Sequence, residues 1–121
     1  MTNDPIAALM AYTIENGGGT FEQGTYLPFK PADGYAVAIA GITLTEADAT
    51  YEAIKRWGKA IVTEHEASFL GTWLNEGLLY LDAVVYIRDL DFALRTASAH
   101  NQLAIFDFAN MTSIPVQEPT V

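Results

Sequence analysis

Two aspartates stand where a strand pattern calls for apolar residues: Asp82 within Leu78–Ile87 and Asp107 within Leu103–Phe108. Paired carboxylates do general acid–base work when burial drives their pKa values apart. An acid among tyrosines also suits a small ligand carrying hydroxyl or amine groups. If the two strands lie close in one sheet, Asp82 and Asp107 approach each other beside Tyr80 and Tyr86, and a ligand-binding domain or small enzyme follows. The competing reading is structural, with both acids solvated and discouraging sheet-to-sheet aggregation.

Other chemistry finds less support. Glu64, His65 and Glu66 are consecutive, so on a helix they splay by about 100° each and cannot share one ion. His65 and His100 both fall near helix ends, where an imidazole interacts well with the last carbonyls. Gly17–Gly19 leaves a helix C-terminus and enters a strand, the reverse of the strand-to-helix order by which phosphate loops present free amides. Ser68, Ser98 and Ser113 lack a nucleophile-elbow setting. The absence of cysteine removes thiolate zinc sites and thiol nucleophiles. No catalytic residue, no metal and no cofactor is therefore expected.

The 121 residues make one domain, 1–121, with a loose tail at Gln117–Val121, and half of them are apolar, enough for a core without staples. Fifteen acids against six bases give a net charge of −9, which repels nucleic acid and anionic membranes. The longest apolar run, Tyr35 to Leu44, is about half of what a membrane helix needs. The first residues carry no Lys or Arg of a signal peptide, and a cytoplasmic protein is expected.

Three helices are expected to position these groups. The first opens on an Asp4 cap and Pro5, with Ile6, Leu9, Met10 and Thr13 on one face. The longest runs from Glu46 to His65 behind a Thr45/Asp48 capping box, with Ala47, Tyr51, Ile54, Trp57, Ile61 and Val62 as its buried stripe. A third, Leu90 to His100, starts at Asp89 and turns Leu90, Leu94 and Ala97 inward. Three hairpins alternate with them. The first joins Thr20–Phe29 to Tyr35–Leu44 through Lys30–Gly34, and the second joins Phe69–Leu74 to Leu78–Ile87 through Asn75-Glu76-Gly77. The third pairs Leu103–Phe108 with Ser113–Val116, where Pro115 marks an edge. The fold class is α+β, a two-layer sandwich of a mostly antiparallel sheet and three helices in the order α-ββ-α-ββ-α-ββ. Alternation puts Leu79, Leu81, Ala83, Val85 and Ile87 against the helices and leaves Tyr80, Asp82 and Tyr86 on a more open face.

Two surface features bear on partners. Between Glu64 and Asp91 lie six acids and one base, Arg88, which would suit an acidic DNA-mimic inhibitor of a host nucleic-acid enzyme if they cluster. Trp73, Tyr80 and Tyr86 together would make an aromatic patch of the kind that is buried on association. The segments Trp73–Gly77, Leu79–Asp82, Asp89–Leu94 and His100–Asp107 resemble those of small uncharacterised proteins encoded by actinobacteria and their phages. That resemblance covers residues 69–116 and implies a phage or mobile-element setting, with no activity to carry over. The reading that follows is a non-enzymatic accessory protein acting on a protein partner and forming a homo-oligomer. Its binding residues would be Trp73, Tyr80, Asp82, Tyr86 and Asp107.

Overall fold

A computed structural model of the chain describes residues 4–116, so the tail expected at Gln117–Val121 lies outside the described residues. Helices α1 (Pro5–Asn16), α2 (Tyr51–Glu64) and α3 (Leu90–Ala99) accompany strands β1 (Gly18–Glu22), β2 (Tyr35–Thr45), β3 (Phe69–Asn75), β4 (Leu78–Ile87), β5 (Ala104–Asp107) and β6 (Thr112–Pro115). The fold is α+β. Its six strands form one curled sheet in the order β1-β3-β4-β2-β5-β6, and every pair is antiparallel.

Local signals set several elements as expected. The Asp4 carboxylate accepts from the Ile6 amide at 2.9 Å, and Gly17, at φ 81°, closes α1. The β3–β4 turn has positive φ at both Glu76 and Gly77, the geometry whose twist matches paired strands. Asp89 accepts from the Phe92 amide at 2.8 Å and starts α3.

The first hairpin does not form. β1 ends at Glu22, and the chain folds back so that the Phe29 amide donates to Thr20 at 2.8 Å and the Glu22 amide donates to Leu27 at 2.9 Å. Residues 27–29 thus lie along the outer edge of β1, whose other edge pairs with β3. β2 crosses instead to the middle of the sheet, beside β4. There its apolar residues find cover: Val37 is fully buried with Ala93 and Ala97 of α3, while Ile42 and Leu44 pack beside α2 residues.

Helix α2 starts at Tyr51, later than expected, because Thr50 supplies the cap by accepting from the Ala53 amide at 3.2 Å. Thr45 and Asp48 do bond reciprocally, at 2.8 and 3.3 Å, but they close a turn after β2. The buried stripe is Ile54, Gly58, Ile61 and Val62. Ala47 is exposed, and Trp57 stays 44% exposed with the Arg56 guanidinium over its ring. Gly58 faces Leu70 so closely that a methyl group there would lie 2.9 Å from its Cδ2, and this bare spot lets the helix settle on the sheet. In α3 the small residues Ala93 and Ala97 make the inward contact, which leaves Leu90 outside.

The odd-numbered side chains of β4 do face the helices. Leu79, Leu81 and Ala83 join the core with Ile6, Leu9, Ile54 and Ile61, and Val85 and Ile87 pack with the α3 cluster. A bare second face does not follow, however. Part of the outer face carries its own cluster, in which Phe29 is drawn over Val84 and Phe69 with Tyr86, Phe106 and Phe108.

Candidate binding face

The outer face divides along β4. Toward its C-terminal end, Phe29 stacks on Phe69 at 4.2 Å and meets Tyr86 edge-on at 5.2 Å. The Tyr86 hydroxyl donates to the Asp33 carbonyl at 2.6 Å, which ties down the loop before β2. Tyr86 is therefore engaged inside the fold, although it shares a face with Tyr80 and Asp82.

Toward the other end the sheet is open. Register places Trp73 of β3 beside Tyr80 of β4 and Thr43 of β2. The Trp73 and Tyr80 rings lie 5.0 Å apart with their planes tilted by 36°, and Trp73 is 50% exposed. In the next row Asp82 sits between Gly71 and Gly41. A methyl group on Gly41 would strike the Asp82 carboxylate, so this side chain lies across the glycine, in space that any other residue would fill. Asp82 is half-buried and bonds to no described residue. Loss of hydration pushes its pKa from the ordinary 3.8 up to about 6.

Asp107 does not join this group. It pairs with Tyr35, whose ring belongs to the α3 side of the sheet. There it is buried, and it accepts from the Ala109 amide at 3.0 Å and from Asn110 Nδ2 at 2.8 Å. It folds the β5–β6 turn, and no carboxylate dyad with Asp82 exists. Two open clefts lie elsewhere. One, of about 510 Å³, is bordered by Met10, Ile14, Leu74 and Glu76, and the other, of about 570 Å³, by Tyr26, Tyr51, Lys55 and Lys59. Neither touches the five expected site residues.

The six acids of residues 64–91 are spread out. Glu76 is at the β3–β4 turn and Asp89 beyond the far end of β4, a strand of about 33 Å at the usual rise per residue. Asp91 bonds Arg95 at 3.3 Å. His65 and His100 are exposed residues that end α2 and α3. Among the described residues no three His, Asp or Glu side chains gather to hold a metal ion.

Sequence reasoning missed Gly41 and Gly71, the residues that leave Asp82 its trough. The signal was present in Tyr35–Thr45, where the large apolar residues fall on odd positions through Ile39 and on even positions from Ile42. That break in phase marks a bulge, observed between Ala38 and Ala40, and it is what turns Gly41 outward. Comparison with family descriptions, with curated proteins and with solved structures finds no match.

Proposed function

We propose that the chain is a non-enzymatic interaction module whose open sheet face binds a protein partner, with a basic side chain of that partner seated on Asp82 beside Trp73 and Tyr80. The observation that carries this reading is the Asp82 carboxylate, held between two glycines without an internal partner, next to a half-exposed tryptophan. A guanidinium or ammonium group laid there gains an ion pair and an aromatic surface together. Tryptophan is also among the residues that most often dominate binding energy. The net charge of −9 steers basic partners toward the molecule.

The reading is tested by titrating an arginine-bearing peptide into Trp57→Phe protein, so that fluorescence reports on Trp73, and repeating this with Asp82→Asn and Trp73→Ala. Native-host affinity capture with the same variants identifies the partner. Binding should weaken at least tenfold in Asp82→Asn and fall away below about pH 6, where the carboxyl takes up its proton. Binding indifferent to both Asp82→Asn and pH would refute it.

A further inference from the structure

Strand β2 carries a second opportunity, independent of the open face. It pairs with β4 over its whole length, but β5 meets it only at Tyr35 and Ala36. β5 is only four residues long and its pairing stops at Ala36, so from Ile39 to Thr45 one edge of β2 pairs with no described strand. A row of unpaired backbone N–H and C=O groups is a template for another strand. The two outermost edges of the sheet are blunted. Residues 27–29 lie along β1, and β6 is four residues long and ends on Pro115. The edge of β2 has neither protection.

We infer that this edge joins two copies of the chain, β2 pairing antiparallel with β2 of its partner about a two-fold axis near Ile42. Two observations favour a second copy over a foreign strand. The segment Ile39–Thr45 holds no charged residue in a chain of net charge −9, so two copies repel least where these strands meet. Residues 40–45 alternate cleanly, with Ala40, Ile42 and Leu44 toward the core side and Gly41 and Thr43 exposed. A two-fold that sets Ala40 opposite Leu44 and Gly41 opposite Thr43 keeps each face continuous across the junction and sets small against large. Such self-pairing is closed, so it stops at two copies.

The experiment is sedimentation and native mass spectrometry on the full chain and on Thr43→Lys and Thr43→Glu, alone and mixed. Thr43 is exposed on the sheet, and circular dichroism checks that each variant folds. The wild type should be a dimer. Each variant alone should dissociate at least tenfold more readily, because like charges meet near the axis, and the mixture should recover as a mixed dimer. In the wild type, amide exchange within residues 39–45 should slow as concentration rises. A monomeric wild type, or a dimer unmoved by either charge and without that exchange signature, overturns the proposal. A dimer lost in Trp73→Ala but kept in both Thr43 variants also overturns it, by locating the contact on the outer face.

Discussion

Replacing Asp82 with asparagine should make the protein more stable at neutral pH, against the usual direction for a substitution. The carboxyl titrates at about 6 in the fold against an ordinary 3.8, with burial as the cause. A raised carboxyl pKa means that the folded state holds the proton more tightly than the unfolded one. Between about pH 4 and 6 the native chain therefore binds more protons, and stability falls as pH rises through that window. Above it the penalty is fully developed. The shift of about two units corresponds to about 3 kcal/mol as an upper bound, and continued solvent access to the half-buried carboxylate reduces it to about 1–2 kcal/mol. Asparagine keeps the shape, carries no charge at any of these pH values, and should recover that amount.

Urea unfolding followed by tryptophan fluorescence at intervals from about pH 4 to 8 measures the difference between wild type and Asp82→Asn. The two should coincide near pH 4, where both side chains are neutral, and separate by about 1–2 kcal/mol by pH 7. Taking the difference removes the other carboxylates, which titrate alike in both proteins. A variant less stable than the wild type at pH 7, or a gap that does not change with pH, would refute the view of Asp82 as a strained, unpartnered charge.

Three further outcomes test the packing. Gly18→Ala would put a methyl group 2.5 Å from the Thr72 carbonyl oxygen, and since that oxygen belongs to the neighbouring strand the fold should lose about 1–3 kcal/mol in thermal or urea unfolding. The buried hydroxyls of Thr13 and Thr72 bond each other at 2.7 Å. Thr13→Val and Thr72→Val should each cost about 1–3 kcal/mol by stranding the other hydroxyl, while the double variant should cost well under the sum. Deleting Ile39 removes the bulge but keeps the facing of residues 40–45, because Ala38 and Ala40 then alternate regularly opposite Val84 and Ala83. The native fold should survive with a loss of about 1–3 kcal/mol in thermal unfolding, and loss of the fold in circular dichroism would show that the bend at the bulge is itself required.

What the sequence disclosed was what depends on neighbours in the chain. Asp4-Pro5, Gly17, Glu76-Gly77 and Asp89 set their helix ends and turn through bonds within a few residues, and all are seen where their chemistry put them. Trp73, Tyr80 and Asp82 were legible as a group because a hairpin fixes its own register. The partners of β1 and β2 were hidden, because a turn-rich stretch such as Lys30–Gly34 can close a hairpin or carry the chain across the sheet. Sheet order decides between them only after burial is counted over the whole molecule. Asp107 illustrates the same limit: one residue of register in β5 sets whether it faces Asp82 or the helices, and nothing near it in the chain specifies that register. Thr45 and Asp48 show a local signal read correctly as a bond and wrongly as a helix start.

The bulge at Ile39 sets which residues of β2 face the open end of the sheet. Before it, Val37 points to the core and Ala38 outward; after it, Ala40, Ile42 and Leu44 point to the core while Gly41 and Thr43 are exposed. Were the same sequence to run without a bulge, strict alternation from Val37 would send Ile42 and Leu44 to the outer face and Gly41 into the core. The outer face would then be greasy and Asp82 would have an isoleucine or alanine beside it instead of a bare backbone. The unpaired edge has another cause: β5 is four residues long and its pairing with β2 already stops at Ala36, before the bulge. The bulge thus gives Asp82 the room to lie across Gly41, while the shortness of β5 leaves the neighbouring backbone unpaired. The two binding features therefore arise separately, the face from the bulge and the edge from the short β5. Asp82→Asn acts on the face alone, whereas Thr43, beside Tyr80, touches both, so the amide-exchange signature of residues 39–45 is what isolates the edge.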